Sequence, residues 1–328
     1  MTPDSSKCLN KSLPSCIFGF ADCGTLQRYI RSRTSSSESR LLILVLLIIL
    51  SAAASTGHIL VIVAIYQRNE LRGGTYLIIL NLSIADLLYA AIFLPLEARD
   101  LFPPSFSSCE TRGVLGTLSV IASINMLTFV SIERFMATNY PFKHRQWFTT
   151  KLILVIVALI WLWCVVFAIY PFFTSGYDHD YKFLHCTVKW RSDKVNIILF
   201  VLFHGLFPSV ALIYCNLKIM QAVRNRSSVA SSASSTGTFR MRREKRVTKT
   251  VIIVILAVLI CFLPYSSILY CLAITDSCEF PPEYVALSLW LIRCNCSLNP
   301  IIYGLLNTKF RSAFKEILCS HFSKRGRN

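Results

Sequence analysis

The chain has 328 residues, 54% of them hydrophobic and only 16% charged, with a net charge of +17. Soluble domains run at ~45–50% apolar and ~25% charged. A water-soluble fold cannot hide so much apolar surface, so the composition argues against a cytosolic enzyme, a disordered chain, a collagen or a coiled coil, and points to a membrane protein.

Residues 1–40 read as an extracellular N-terminal segment. They lack the basic-then-apolar pattern of a cleaved signal peptide, so the first helix is expected to act as the anchor. Asn10-Lys11-Ser12 is a glycosylation sequon. A hydrocarbon core ~30 Å thick needs ~20 apolar residues as helix. Seven runs meet that length: roughly Leu41–Tyr66, Thr75–Leu96, Gly113–Phe135, Lys151–Phe173, Val195–Met220, Val247–Leu272 and Tyr284–Leu305. None alternates with period two, which disfavours a barrel. Backbone polar groups cannot be left bare in lipid, so residues 41–305 are predicted to be an all-α seven-helix bundle.

With the N-terminus outside, the inner segments are 67–74, 134–151, 218–249 and 306–328, and the whole positive excess falls on that face. This is the positive-inside bias. It accounts for the basic loops through topology and anionic lipid, so nucleic acid is not needed as a partner. Arg31, Arg33 and Arg40 oppose the trend before the first span.

Taken in order, the spans carry several polar residues that lipid makes costly. Asp86 lies mid-span in the second. With Ser123, Asn295 and Asn299 it forms a set of oxygen donors for a small cation or a water network, or simply interhelical hydrogen-bond glue. Glu97 lies 11 residues beyond Asp86, 20° off the same face by the ~100° helical step. It is expected to meet Arg293 of the seventh span. One reading is a structural ion pair, since buried ions are normally paired. The other is that Arg293 receives a ligand carboxylate or phosphate through a bidentate bond. Gly116 leaves space across the cavity, and Tyr89, Phe262, Tyr265 and Trp290 are candidate aromatic walls. At the inner end of the third span, Glu133 is placed to hold Arg134, with Glu244 as a second partner from the sixth.

Cys109 and Cys186 both face the oxidising side, where a disulfide between them is expected. Cys8, Cys16, Cys23 and Cys278 are also outside, and a bridge from the N-terminus to the third outer loop is one option. The stretch Ser227–Thr238 is low in complexity. It reads as a disordered inner loop, either a plain linker or a phosphorylation site. Residues 306–328 form an amphipathic helix and a cytoplasmic tail, with Phe310, Phe314, Ile317 and Leu318 at helical spacing and Cys319 available for palmitoylation.

Asn81-Leu-Ser-Ile-Ala-Asp86, Glu133-Arg134-Phe135, Trp161, Pro208, Cys261-Phe-Leu-Pro264 and Asn299-Pro300-Ile-Ile-Tyr303 occur in order, one set per span. With Cys109 and Cys186, this set resembles the rhodopsin-like (class A) G-protein-coupled receptors over about residues 41–320. The resemblance implies an extracellular ligand, outward movement of the sixth helix and a heterotrimeric G protein as partner. It implies that Arg134 contacts the G protein and that Asn299, Pro300 and Tyr303 rearrange. It also implies a sodium pocket of Asp86, Ser123, Asn295 and Asn299, and arrestin binding through a phosphorylated inner loop. Departures from the pattern include His58 after Gly57, Glu133-Arg134-Phe135 for Asp-Arg-Tyr, Phe262 for Trp, and Asn216 for Tyr.

Where receptors for amines place an Asp, this chain has Gly116. Where opsins hold retinal on a Lys, it has Arg293, a poor imine former, so no retinal is expected. The Leu-Ser-Ile-Ala-Asp-Leu-Leu-Tyr stretch is similar to galanin/allatostatin-type peptide receptors, which implies a peptide ligand. The acids Asp276, Glu279 and Glu283 would suit a basic one. A small anionic or lipid ligand is the alternative. A transporter is disfavoured by the odd span count and the lack of repeats, and no nucleophile set supports an enzyme.

Overall fold

The computed structural model describes residues 37–71, 73–99, 109–180, 185–229, 235–275 and 278–325. Cys8, Asn10, Cys16, Cys23 and Asp276 lie outside these residues, and the Glu244 side chain is outside those described. Seven described helices are long and apolar enough to cross a membrane: Leu41–Gln67, Gly74–Arg99, Cys109–Asn139, Thr150–Phe173, Lys194–Asn225, Leu256–Ile274 and Pro282–Leu306. They are called spans one to seven. Most ends fall within a few residues of the apolar runs. The sixth differs most. Its helix is continuous from Ser235 to Ile274, so it begins twelve residues before the apolar run read from the sequence. At 1.5 Å per residue such a helix outruns a hydrocarbon core of ~30 Å. Of the low-complexity stretch, residues 227–229 and 235–238 are helical, as the ends of two helices that reach Val229 and begin at Ser235.

Span three is the axis of the bundle. It packs against spans two, four and five, and its polar residues Ser119, Ser123, Thr128 and Ser131 are all buried. Span four is apolar all round and turns Leu154, Leu159, Leu162 and Val166 outward, as a lipid-facing helix should. The Thr149 side chain caps its first turn by accepting from the Leu152 N–H. The Trp161 indole N–H donates to Asn81 Oδ1 at 3.1 Å and ties span four to span two. Spans one and seven meet where Gly57 faces Pro300. A Cβ there would lie 2.7 Å from the proline Cβ, so only glycine admits this approach.

Two spans contain a π-helical turn, Tyr89–Phe93 in span two and Val201–Leu206 in span five. Such turns insert an extra residue and re-aim the side chains beyond them. Between spans four and five, β1 (Tyr177–Asp180) and β2 (His185–Val188) form an antiparallel hairpin. Cys186 of β2 is bonded to Cys109 at the start of span three, as the sequence led one to expect. The Tyr177 ring lies where a Gly113 side chain would be, and its hydroxyl donates to the Ala168 carbonyl at 2.7 Å. Burial pushes that phenol up to about 12. Cys278 does not bridge to the N-terminus. It pairs with Cys271, seven residues earlier at the end of the span-six helix, because the short turn after that helix brings the two together.

The final helix runs from Thr308 to Arg325, longer than the amphipathic stretch read from the sequence. Phe310 is fully buried and stacks on Tyr303 at 5.4 Å. Lys309 donates to the Glu70 carbonyl, and Glu316 pairs with Arg68, so the helix is tied to the turn between spans one and two. Cys319 is exposed on it.

Candidate functional site

A cavity of about 800 Å³, counting its open mouth, lies between spans two, three, five, six and seven at the hairpin end. Both π-turns border it. Span two contributes Tyr89 and Phe93, stacked at 4.7 Å, and span five contributes Val201, His204 and Gly205. Phe262 and Tyr265 form the span-six wall, and Gly116 lies on span three. Cys186, Thr187 and Trp190 roof the space from the hairpin side. The Trp190 indole N–H is shared between Thr187 Oγ1 at 3.1 Å and the Tyr265 hydroxyl at 3.2 Å, so the roof is fastened to span six. Among the described residues that line the cavity there is no Asp, Glu, Lys or Arg.

Of the aromatic and charged residues expected here, Tyr89, Gly116, Phe262 and Tyr265 line the cavity. Glu97, Arg293 and Trp290 do not. Arg293 is spent on Glu97: its Nε donates to Oε2 at 3.1 Å and its Nη2 to Oε1 at 2.8 Å. Both are buried, at 6% and 4% exposed, and the guanidinium sits over the Trp290 ring at 5.2 Å. The geometry is the bidentate fork that Arg offers a carboxylate, with an internal acid as partner. Gly116 also needs correcting. It does not leave space across the cavity, because the Phe93 ring fills it; a Cβ on Gly116 would be 2.6 Å from Phe93 Cε2.

Among the polar residues of the lining is an imidazole, His204. Its ring is buried among Phe167, Phe200 and Trp163. Asn125 Nδ2 lies 2.7 Å from the Ile121 carbonyl and 3.1 Å from His204 Nδ1. A carbonyl only accepts, so that Asn125 atom is the amide nitrogen, and its second hydrogen goes to Nδ1. Nδ1 is therefore the acceptor, and the neutral ring carries its hydrogen on Nε2. That Nε2 is buried without a hydrogen-bond partner. The sequence reading passed over His204, although an ionisable side chain four residues before Pro208 in an apolar run is itself a signal.

Deeper in the bundle, Asp86 is buried and accepts from Asn299 Nδ2 at 2.7 Å. The Ser123 hydroxyl lies beside its carboxylate. The Asn295 and Asn299 Oδ1 atoms are buried without partners. A buried carboxylate with a hydroxyl beside it, and an amide oxygen of Asn299 left over, is donor chemistry that a hard monovalent cation such as sodium takes. His58 adds no lone pair from Nε2, which donates to the Cys296 carbonyl at 2.6 Å and stands 3.7 Å from Asp86 Oδ2.

At the opposite end, Arg134 Nε donates to Glu133 Oε2 at 2.6 Å and Nη2 to Oε1 at 2.8 Å; Nη2 also reaches the Thr75 hydroxyl. Asn299, Pro300 and Tyr303 line up along span seven between this end and Asp86, all buried. A short helix, Pro141–Trp147, follows span three and turns Phe142 90% outward.

Residues 57–303 match the model of the 7 transmembrane receptor (rhodopsin family). The chain is 29% identical over 272 residues to melatonin receptor type 1A of Gallus gallus, covering 80% of this chain and 76% of the relative. It is 30% identical over 279 residues to melatonin receptor type 1A of Phodopus sungorus, covering 81% and 77%. With octopamine receptor beta-1R of Drosophila melanogaster the identity is 26%, covering 83% of this chain and 61% of that one. The fold is similar to the crystal structure of squid rhodopsin, with a TM-score of 0.76 at 19% identity over 86% of each chain.

Proposed function

The chain belongs to the rhodopsin family of seven-transmembrane receptors, multi-pass membrane proteins that signal through G proteins and are not enzymes, and we propose that its ligand is a compact, uncharged aromatic molecule carrying a hydrogen-bond acceptor. The observation that carries this reading is the His204 Nε2–H, buried, without a partner among the described residues and bordering a cavity whose described lining is uncharged and made of aromatic, aliphatic and hydroxyl side chains. A buried donor left unmade is costly, so a ligand that brings an ether or carbonyl oxygen gains there. Melatonin, the ligand in the names of several relatives, has that chemistry: a neutral indole with methoxy and amide oxygens. Octopamine carries an ammonium, and the lining gives it no carboxylate.

A peptide is the second reading. Glu279 and Glu283 are exposed where the chain passes from span six to span seven and would attract a basic chain, whose apolar tip would enter the cavity. In either case the N-terminus, with Asn10 glycosylated, faces outward. Ligand binding shifts span six outward at its inner end. Arg134 then meets the G protein, Asp86 with Ser123, Asn295 and Asn299 would hold sodium, the Ser-rich inner loop recruits arrestin once phosphorylated, and acylated Cys319 anchors the final helix.

The test is thermal stabilisation of the purified receptor by melatonin, by an analogue without the methoxy group, and by octopamine. Melatonin is expected to stabilise the protein, and His204→Leu to weaken its binding by about tenfold, the worth of one net hydrogen bond. Stabilisation by octopamine alone would sink the neutral-ligand reading, and stabilisation only by peptide fractions would install the second one.

A further inference from the structure

Glu133 is 1% exposed, and its Oε1 accepts from three donors: Arg134 Nη2 at 2.8 Å, the Thr75 hydroxyl at 3.0 Å and His144 Nε2 at 2.7 Å. His144 comes from the short helix Pro141–Trp147, whose proline at the first turn presets the backbone. Its ring stacks on Phe148 at 5.1 Å, and Phe148 stacks on Phe129 at 6.4 Å. The imidazole is thus held in place by packing while 24% of its side chain stays open to solvent.

We infer that His144 is a positioning residue of the Glu133–Arg134 switch and that a proton taken up by its ring from the cytosol favours release of Arg134. This goes beyond the ligand reading and rests only on family membership. A neutral imidazole gives Oε1 one N–H and leaves the carboxylate charge to Arg134. A second proton sets two cations against one carboxylate and leaves a net positive charge in a nearly closed cluster. Glu133 is buried, so an excess positive charge set against it is costly, although the partly open Arg134 and His144 are screened in part by salt. The partner able to leave is Arg134, whose side chain is 27% exposed. Histidine is the side chain whose charge changes across the cytosolic pH range.

The groups facing His144 are Glu133 and Arg134 from span three and the Thr75 hydroxyl from span two. Its own helix carries Lys143 and Arg145, with Lys143 held over the Tyr140 and Trp147 rings at 5.8 Å each. Span four opens with Lys151 after Thr150. The added cations act in the same direction as a charged His144.

The experiment places the full receptor in lipid nanodiscs, without ligand, with spin labels at the inner ends of spans four and six. The population with span six outward is read from electron–electron distances between about pH 8 and about pH 6. It is expected to rise at least about fivefold as pH falls, the lower end of ordinary site couplings. His144→Gln is expected to be flat at the low level and His144→Arg flat at the high one. Both replacements are polar and sit on a partly open site. A slope that survives in His144→Gln assigns the proton to another group and overturns the inference. So does a flat wild type, or a His144→Arg variant that behaves like His144→Gln.

Discussion

Glu97→Leu is expected to destabilise the bundle by about 3–5 kcal/mol, and Arg293→Leu by a similar amount. Each substitution removes the counter-charge of the other member of a pair that is 4% and 6% exposed and joined by two hydrogen bonds. The double variant, Glu97→Leu with Arg293→Leu, is expected to return close to the wild type, because apolar pairs often replace buried ion pairs without loss. Thermal unfolding in nanodiscs reads all four proteins. The same series decides what Arg293 is for. If it serves only Glu97, the double variant still binds melatonin. If it also holds the ligand, the double variant folds but no longer binds melatonin. Singles within about 1 kcal/mol of wild type, or a double as unstable as either single, would refute the structural account.

The bundle was legible in the sequence because lipid imposes a length rule that water does not. Each of the seven runs had to be helical. The pairing of Glu97 with Arg293 was legible because two opposite charges sit in the outer halves of apolar spans, where buried ions are normally paired; the 11-residue helical phase does not carry it. The contents of the cavity were less legible. Phase arithmetic assumes a regular helix, and the π-turn at Tyr89–Phe93 adds a residue between Asp86 and Glu97. That turn brings Phe93 onto Gly116, a meeting of two spans that neither announces alone. The hairpin between spans four and five is only four residues per strand, too short for a periodic signal. The Cys271–Cys278 bridge escaped because Cys271 falls within an apolar run. His144 had no signal at all. Its partner Glu133 lies 11 residues earlier on another helix, and only the fold brings the two within 2.7 Å.

Gly116→Val is expected to weaken melatonin binding by about tenfold to a hundredfold, through overpacking of about 1–3 kcal/mol. The new Cβ would lie 2.6 Å from Phe93 Cε2 and 3.0 Å from Cδ2. The ring cannot retreat easily. It is 2% exposed and stacked on Tyr89 at 4.7 Å, so it must swing into the cavity where the ligand would sit. Phe93→Leu in the same chain shortens the obstacle and is expected to recover most of the loss. The coupling between the two substitutions is expected to fall in the range of about 0.5–3 kcal/mol typical of contacting side chains. Binding isotherms for the wild type, the two single variants and the double complete the cycle. Strict additivity would mean that Gly116 and Phe93 act independently, and the ring would then not be what fills the space that the glycine leaves. A coupled result makes this glycine the residue that admits an aromatic wall at the position where an amine receptor carries its acid, and ties the lack of charge in the cavity to the shape of span two.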